Sequence, residues 1–224
     1  MRFDVLTLFP DLIDYVCGQS IIGRAGAKGI IEVFSHNIRD YSHDVHRRVD
    51  DTPYGGGMGM LMAAPPVCEC HEAVTKMCDK KTKSIYMSPT GKPLTQKKAL
   101  ELAGYERLII LCGHYEGIDR RAIDLVVDEE ISIGDYVLTG GELPACVLID
   151  CVGRTLEGVL ASAECHEIES ISCGMLEYPQ YTRPEEYKGL KVPDVLLGGN
   201  HKKIDEFRWE SALELTRKNR PDLI

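Results

Sequence analysis

Long apolar runs are missing from this sequence. None reaches the roughly 18 residues needed to cross a bilayer, which excludes a membrane-spanning helix. The first residues, Met1-Arg2-Phe3-Asp4-Val5-Leu6-Thr7-Leu8-Phe9-Pro10, lack the apolar core of a secretory signal and read as a first β-strand. A cytoplasmic protein is expected. No Gly-Lys-Ser/Thr follows a glycine cluster, which disfavours P-loop kinases and GTPases, and no Gly-x-Gly-x-x-Gly supports a dinucleotide site. Internal repeats and low-complexity tracts are also lacking. Basic residues are short: 26 Lys/Arg against 35 Asp/Glu leave a net charge of −9. Taken alone, that argues against a nucleic-acid partner. The deficit is local, however. Residues 101–177 hold 4 Lys/Arg and 16 Asp/Glu, and the remainder sums to +3, so a basic face outside the acidic middle stays open.

What is present is enough for a sizeable core: 44% hydrophobic and 27% charged residues over 224 positions, more than one minimal domain. Nine cysteines, an odd number without a secretory signal, are expected to be reduced thiols acting mostly as small hydrophobes. Cys68, Cys70, His71 and Cys78 could suggest a metal cluster. The helical spacing of Val67, Cys70, Val74, Met77 and Cys78 points instead to one buried helix face, and Cys-x-Cys on a helix aims the two thiols to different sides.

Strand-like runs at 3–9, 29–38, 83–88 and 107–112 alternate with helix-like stretches at 11–24 and 94–103. That alternation predicts βαβ units and a parallel sheet. Residues 162–174 have no clear period and read as a connector. Pro179, Pro184 and Pro193 then break any long element, and 202–218 reads as an amphipathic helix on Ile204, Phe207, Trp209, Leu213 and Leu215. The expected organisation is an α/β domain at 1–158, a flexible linker at 159–177 and a small, mostly helical domain at 178–224.

Three loops carry too much glycine for ordinary connectors. Residues 50–60 (DDTPYGGGMGM) hold four glycines in five positions, which frees the backbone to approach a ligand. Residues 112–121 (CGHYEGIDRR) follow a buried strand, where open α/β sheets bind ligands. Residues 131–144 (ISIGDYVLTGGELP) offer an apolar rim and free backbone amides, which suit a flat heteroaromatic ring.

These loops resemble those of the bacterial tRNA (guanine-N1)-methyltransferases, the TrmD family of knotted methyltransferases. The resemblance rests on 53–62 (PYGGGMGMLM), 86–92 (YMSPTGK), 111–119 (LCGHYEGID), 131–145 (ISIGDYVLTGGELPA), Arg154, 178–184 (YPQYTRP) and 192–201 (VPDVLLGGNH). Seven matches in order span the chain. The resemblance implies a parallel sheet with a deep trefoil knot, a rare exception to unthreaded topology. It implies a homodimer with active sites shared between chains. The implied reaction is methyl transfer from S-adenosylmethionine to N1 of the guanosine 3′ of the tRNA anticodon. The runner-up is a knotted methyltransferase acting on another RNA site or atom. A reading outside enzymology is a glycine-rich nucleotide- or metal-binding regulator.

The cofactor residues implied are Tyr86, Met87, Ser88, Pro89, Gly113, Glu116, Ile133, Gly134, Asp135, Tyr136, Val137, Leu138, Gly140, Gly141 and Pro144. Glu116 would balance the sulfonium or hold Mg2+, and the sequence leaves both open; no dedicated metal site is expected. For RNA the residues are Asp50, Tyr54, Gly56, Gly59, Arg183 and His201, with the anticodon stem-loop as partner. N1 of guanine must lose a proton before it can attack, which calls for a carboxylate base, and the charge that spreads to O6 calls for a guanidinium. Arg154 is the candidate guanidinium. The family pattern ends its linker in Asp-Ser-Phe, and alignment on 174–179 puts Glu169 where that Asp stands. Glu164, His166 and Glu167 remain rivals for the base.

Overall fold

The computed structural model describes residues 1–160, 170, 171 and 174–224. They divide into two units, Met1–Ala161 and Ser162–Ile224.

In the first unit the elements run β1 (Arg2–Thr7), α1 (Pro10–Cys17), α2 (Ser20–Ala27), β2 (Glu32–Asn37), β3 (Asp50–Asp51), β4 (Leu61–Met62), α3 (Ala64–Thr75), β5 (Thr82–Pro93), α4 (Gln96–Ala103), β6 (Arg107–Cys112), α5 (Arg120–Val126), β7 (Glu129–Ser132) and α6 (Glu142–Gly153). Five strands form one parallel sheet in the order β2-β1-β6-β5-β7. Val5 registers with Ser35 on one side and Ile110 on the other. β6, Arg-Leu-Ile-Ile-Leu-Cys, is buried at all six positions, as expected of a central strand covered on both faces.

The period-2 alternation sorts the apolar residues to two faces. Phe3, Val5, Ile85, Met87, Leu108 and Ile110 pack with residues of α1, α2, α4 and α6. Leu6, Tyr86, Ile109 and Leu111 pack with residues of α3 and α5. The result is a three-layer sandwich with two apolar cores.

One polar cluster lies inside it, at the end where the strands begin. Arg107 and Asp4 are both fully buried, with Arg107 Nε donating to Asp4 Oδ2 over 2.6 Å. The same guanidinium donates to the carbonyls of Val74 (2.7 Å), Cys78 (3.1 Å) and Thr75 (3.3 Å), closing the C-terminus of α3. Asp4 also accepts from Arg2, and His36 Nε2 lies 2.8 Å away. Burial alone would raise the Asp4 carboxyl, but the hydrogen bonds from His36, Arg2 and Arg107 hold it well below the usual carboxylate range.

Several boundaries differ from the sequence reading. The stretch 11–24 is two helices, because Gly18 caps α1 and Ser20 then takes φ 53°. β5 runs on to Pro93, with its register against β7 interrupted between Met87 and Lys92. In α3, Val67, Cys70 and Val74 are buried as the helical spacing requires, and His71 Nε2 lies 2.8 Å from Ser84 Oγ. Met77 lies beyond the helix end and is exposed.

The second unit holds an antiparallel pair, β8 (Glu186–Tyr187) and β9 (Leu190–Lys191), then α7 (Asp194–Leu197) and α8 (His201–Asn219). The hairpin was not expected in a mostly helical domain. α8 buries Ile204, Ala212 and Thr216, whereas Trp209, placed on the apolar face by the sequence reading, is 59% exposed. Among the described residues, no helix is long and apolar enough to cross a membrane.

Candidate active site

The strands β5, β6 and β7 end on one side of the sheet, and a cleft of about 360 Å³ opens between the segments that follow them. Three backbone features hold it together. The β5 irregularity supplies Ser88, Pro89 and Thr90, with Ser88 Oγ 2.7 Å from Thr90 Oγ1. The β6–α5 loop supplies residues 113–118. The β7–α6 loop returns across it: Gly140 bridges His114, and Gly141 N donates to Gly113 O over 2.8 Å. A Cβ on Gly141 would stand 2.8 Å from Cys112 Cα, so this crossing admits only glycine.

Fourteen of the fifteen cofactor residues inferred from sequence line this cleft. Tyr86, Met87, Ser88 and Pro89 come from β5, and Gly113 and Glu116 from the second loop. Ile133, Gly134, Tyr136, Val137, Leu138, Gly140 and Gly141 come from the third, and Pro144 from the start of α6. Asp135 is exposed and outside the lining. The walls are apolar on the Val137–Leu138 side, and the Tyr86 hydroxyl is pushed up to about 12 by burial. The sequence reading missed Arg120, Glu130 and His114. Arg120 donates to Glu130 over 3.0 Å, and Thr90 Oγ1 donates to the other Glu130 oxygen over 3.1 Å. His114 Nδ1 is buried and, among the described residues, has no hydrogen-bond partner; the rings of Phe9 and Tyr115 are each 5.1 Å away. Its place inside the 111–119 motif was the available signal.

The first glycine loop is the tip of the β3–β4 hairpin, and its base is docked on the second loop. Glu116 N donates to Met60 O, Met62 N to Gly117 O, and Asp119 N to Met62 O, all at 2.9–3.0 Å. A Cβ on Gly59 would stand 2.4 Å from Glu116 Cγ. Two loops that read as separate in sequence therefore meet at Glu116, which also lines the cleft. Asp50 pairs with Met62 at the hairpin's foot. Tyr54 projects from the tip, 99% exposed, beside Gly56 at φ 80°.

Arg154 follows the last turn of α6, where its N–H donates to Asp150 O over 3.0 Å. In the second unit, Arg183 lines a cavity of about 480 Å³ with Tyr178, Tyr181 and Arg208, and the Arg208 guanidinium lies 4.9 Å from the Tyr178 ring centroid. His201 opens α8 and is exposed; Asn200 before it accepts from Lys203 N. Glu164, His166, Glu167 and Glu169 lie outside the described residues. Among the described residues, no group of three or more His, Cys, Asp or Glu is arranged to hold a metal ion.

A family model described as tRNA (Guanine-1)-methyltransferase TrmD matches residues 1–224. A tRNA (guanine-N(1)-)-methyltransferase of Ruminiclostridium cellulolyticum is 58% identical, covering 100% of this chain and 96% of its own length. Enzymes of the same name from Lachnospira eligens (55% identical, 100% and 94%) and Geobacter sulfurreducens (54% identical, 100% and 91%) also match over the whole of this chain.

Proposed function

The chain belongs to the TrmD family and is a tRNA (guanine-N1)-methyltransferase, and from that premise we propose that it methylates N1 of the guanosine 3′-adjacent to the anticodon, position 37, with S-adenosylmethionine as donor. The observation that carries this reading is the cleft at the strand ends, with a family match over the whole chain. A volume of about 360 Å³ lies within the usual range for small-molecule sites, roughly 300–1,000 Å³. Its apolar rim suits the flat adenine ring, and its backbone donors and acceptors suit the ring nitrogens. Tyr86–Pro89, Gly113, Glu116 and the third-loop residues 133–141 with Pro144 would hold the donor, which supplies an electrophilic methyl carbon. Asp135 stays in this assignment as a rim residue. Glu116 either balances the donor's positive charge or holds Mg2+; assay with and without the ion separates the two.

On the RNA side, Glu169 removes the N1 proton, and Arg154 stabilises the charge that develops on O6. Asp50, Tyr54, Gly56, Gly59, Arg183 and His201 contact the anticodon stem-loop, whose unpaired bases cost little to extrude. Residues 1–158 act as the donor-binding domain, 159–177 as the linker and 178–224 as the RNA-binding domain, all in the cytoplasm. The active unit is a homodimer. Arg154 lies ten positions along α6 from Pro144, at the cleft, which is about 15 Å of helix rise. The guanidinium therefore serves the cleft of a second chain better than its own. An apolar groove between α1, α2 and α6, with Val16, Leu143 and Val147 exposed on it, offers the surface for that second copy.

The knot is part of the same proposal. β7 is the edge strand next to β5, yet the chain leaving it crosses to the β6 loop. It then enters α6, which packs beneath the sheet against α1 and α4. Such a course supports a chain threaded through the β5–α4 connection.

The deciding experiment is transfer of labelled methyl from S-adenosylmethionine to two tRNA transcripts, one with guanosine and one with adenosine 3′ of the anticodon. Label on the guanosine transcript alone is expected. Label on both would move the target elsewhere in the RNA. A Glu169→Ala variant that kept the full single-turnover rate would remove Glu169 as the base.

A further inference from the structure

His114 lines the cleft from the loop after β6 and bridges Gly140 in the loop after β7, yet no role above uses it. Of its two ring nitrogens, Nδ1 is the buried one. A buried polar atom left unpaired costs more than an ordinary hydrogen bond returns. Beside this nitrogen stands Glu142, 4% exposed at the first position of α6. The buried Thr7 hydroxyl donates to Glu142 Oε1 over 2.8 Å, which leaves Oε2 for a second partner. A Cβ on Gly140 would come under 3.0 Å from both Glu142 Oε2 and His114 Nδ1. The glycine therefore keeps clear a spot that the carboxylate and the imidazole both border. The ring is held from its sides by Phe9, tilted at 57°, and Tyr115, edge-on at 81°. Phe9 belongs to the same network, since its N–H donates to Thr7 Oγ1 over 2.9 Å.

We propose that His114 binds the ribose of S-adenosylmethionine and that Glu142 is the positioning residue behind it, aiming a hydrogen-bond acceptor into the cleft. A carboxylate only accepts, so after a small turn of the ring it holds the imidazole as the Nδ1–H tautomer. The neutral ring then carries its lone pair on Nε2, the nitrogen that is not buried. An acceptor on the cleft wall suits a hydroxyl. Its place along the ligand follows from the reading above, on which this inference rests: the flat adenine lies on the Val137–Leu138 side and the sulfonium near Glu116. His114 belongs to both ends. It bridges Gly140, two residues past Leu138, and precedes Glu116 by two. Between adenine and sulfonium lies the ribose, whose 2′ and 3′ groups are the ligand's hydroxyls. No bond is made or broken by the pair; it binds and orients.

The test uses the full chain without tRNA. The probe is S-adenosylhomocysteine, the product left after methyl transfer, with its 2′-deoxy and 3′-deoxy analogues, and titration calorimetry reads Kd. Wild type should bind one of the two analogues about tenfold more weakly than the parent, the worth of one good hydrogen bond. His114→Ala should lose about tenfold toward the parent, and the penalty for deleting that hydroxyl should vanish, which a merely structural role would not produce. His114→Gln, whose amide oxygen accepts near the Nε2 position, should recover most of the affinity. Glu142→Gln supplies a second readout. Its amide keeps an oxygen for Thr7 but turns an N–H toward His114, which favours the Nε2–H tautomer. Nitrogen NMR of the chain labelled at its seven histidines identifies His114 by its loss in His114→Gln. Nδ1 should carry the proton in wild type at neutral pH and Nε2 in Glu142→Gln, which should also bind the probe about tenfold more weakly. Three results would overturn the proposal and leave the donor site standing: a wild type indifferent to both deoxy analogues, an equal hydroxyl penalty in wild type and His114→Ala, or a wild-type ring protonated at Nε2. A folded wild type that bound no probe would remove the donor reading, and this proposal with it.

Discussion

The two ends of the parallel sheet treat polar groups in opposite ways. Where the strands begin, Asp4 and Arg107 are fully buried and every charge has a partner: Arg2, His36 and three α3 carbonyls complete the set. Where β5, β6 and β7 end, the cleft keeps donors and acceptors accessible, and His114 Nδ1 has no partner among the described residues. The same strands thus carry a closed ion cluster at one end and an open site at the other. Substitutions at the first end should act on stability, and those at the second on turnover.

The largest effect is expected at the closed end. Asp4→Ala leaves the Arg107 charge buried and unpaired, which costs about 3–5 kcal/mol. Urea unfolding should show it, with kcat/KM nearly unchanged in the fraction that stays folded. The pH dependence has a definite sign. Because the folded-state value of Asp4 is depressed, its contribution is complete above the unfolded carboxylate value, about 3.9, and is lost as pH falls through the folded-state value. Stability of the native chain should therefore drop more steeply below about pH 4 than that of Asp4→Asn.

For the residues assigned to the reaction the order reverses. Arg154→Ala is expected to lower the single-turnover rate by about 10²–10³-fold, as loss of one well-placed donor to a developing oxyanion does, with little change in melting temperature. Gly141→Ala tests the crossing of the two loops. Its Cβ meets backbone rather than a flexible side chain, so donor binding and kcat/KM should fall at least about tenfold, equivalent to roughly 1.4 kcal/mol. Asp135→Ala should be nearest to neutral, within about 0.5 kcal/mol in stability and less than twofold in kcat/KM. A larger loss would make Asp135 a true donor contact and extend the open end beyond the lining seen here.

Much of this arrangement was legible in the sequence. The residues of β6, a run without a polar residue between Leu108 and Cys112, read directly as a buried strand. The loops after β6 and β7 were legible because glycine clusters are costly unless a close approach requires them; the segment after β5 was legible only through the family resemblance. Gly113 and Gly141 are the pair that meets. The ion cluster was not legible: Asp4 and Arg107 lie 103 positions apart, and each alone reads as an ordinary surface charge at a strand start. Nor was the docking of the first loop on Glu116, which depends on the missing side chain of Gly59 rather than on a pattern. Trp209 was misplaced because helical periodicity identifies an apolar stripe but not its width; Ile204, Ala212 and Thr216 use a narrower one.

The Arg107 guanidinium has a consequence for how the molecule breathes. The last turn of α3 has its terminal carbonyls tied to a side chain rooted in the central strand, so this helix end cannot fray while β6 stays paired. Amide protons there should exchange with solvent only through global opening, at the rate of the innermost strand. A helix terminus, ordinarily among the first segments to open, thereby joins the last cooperative block to unfold.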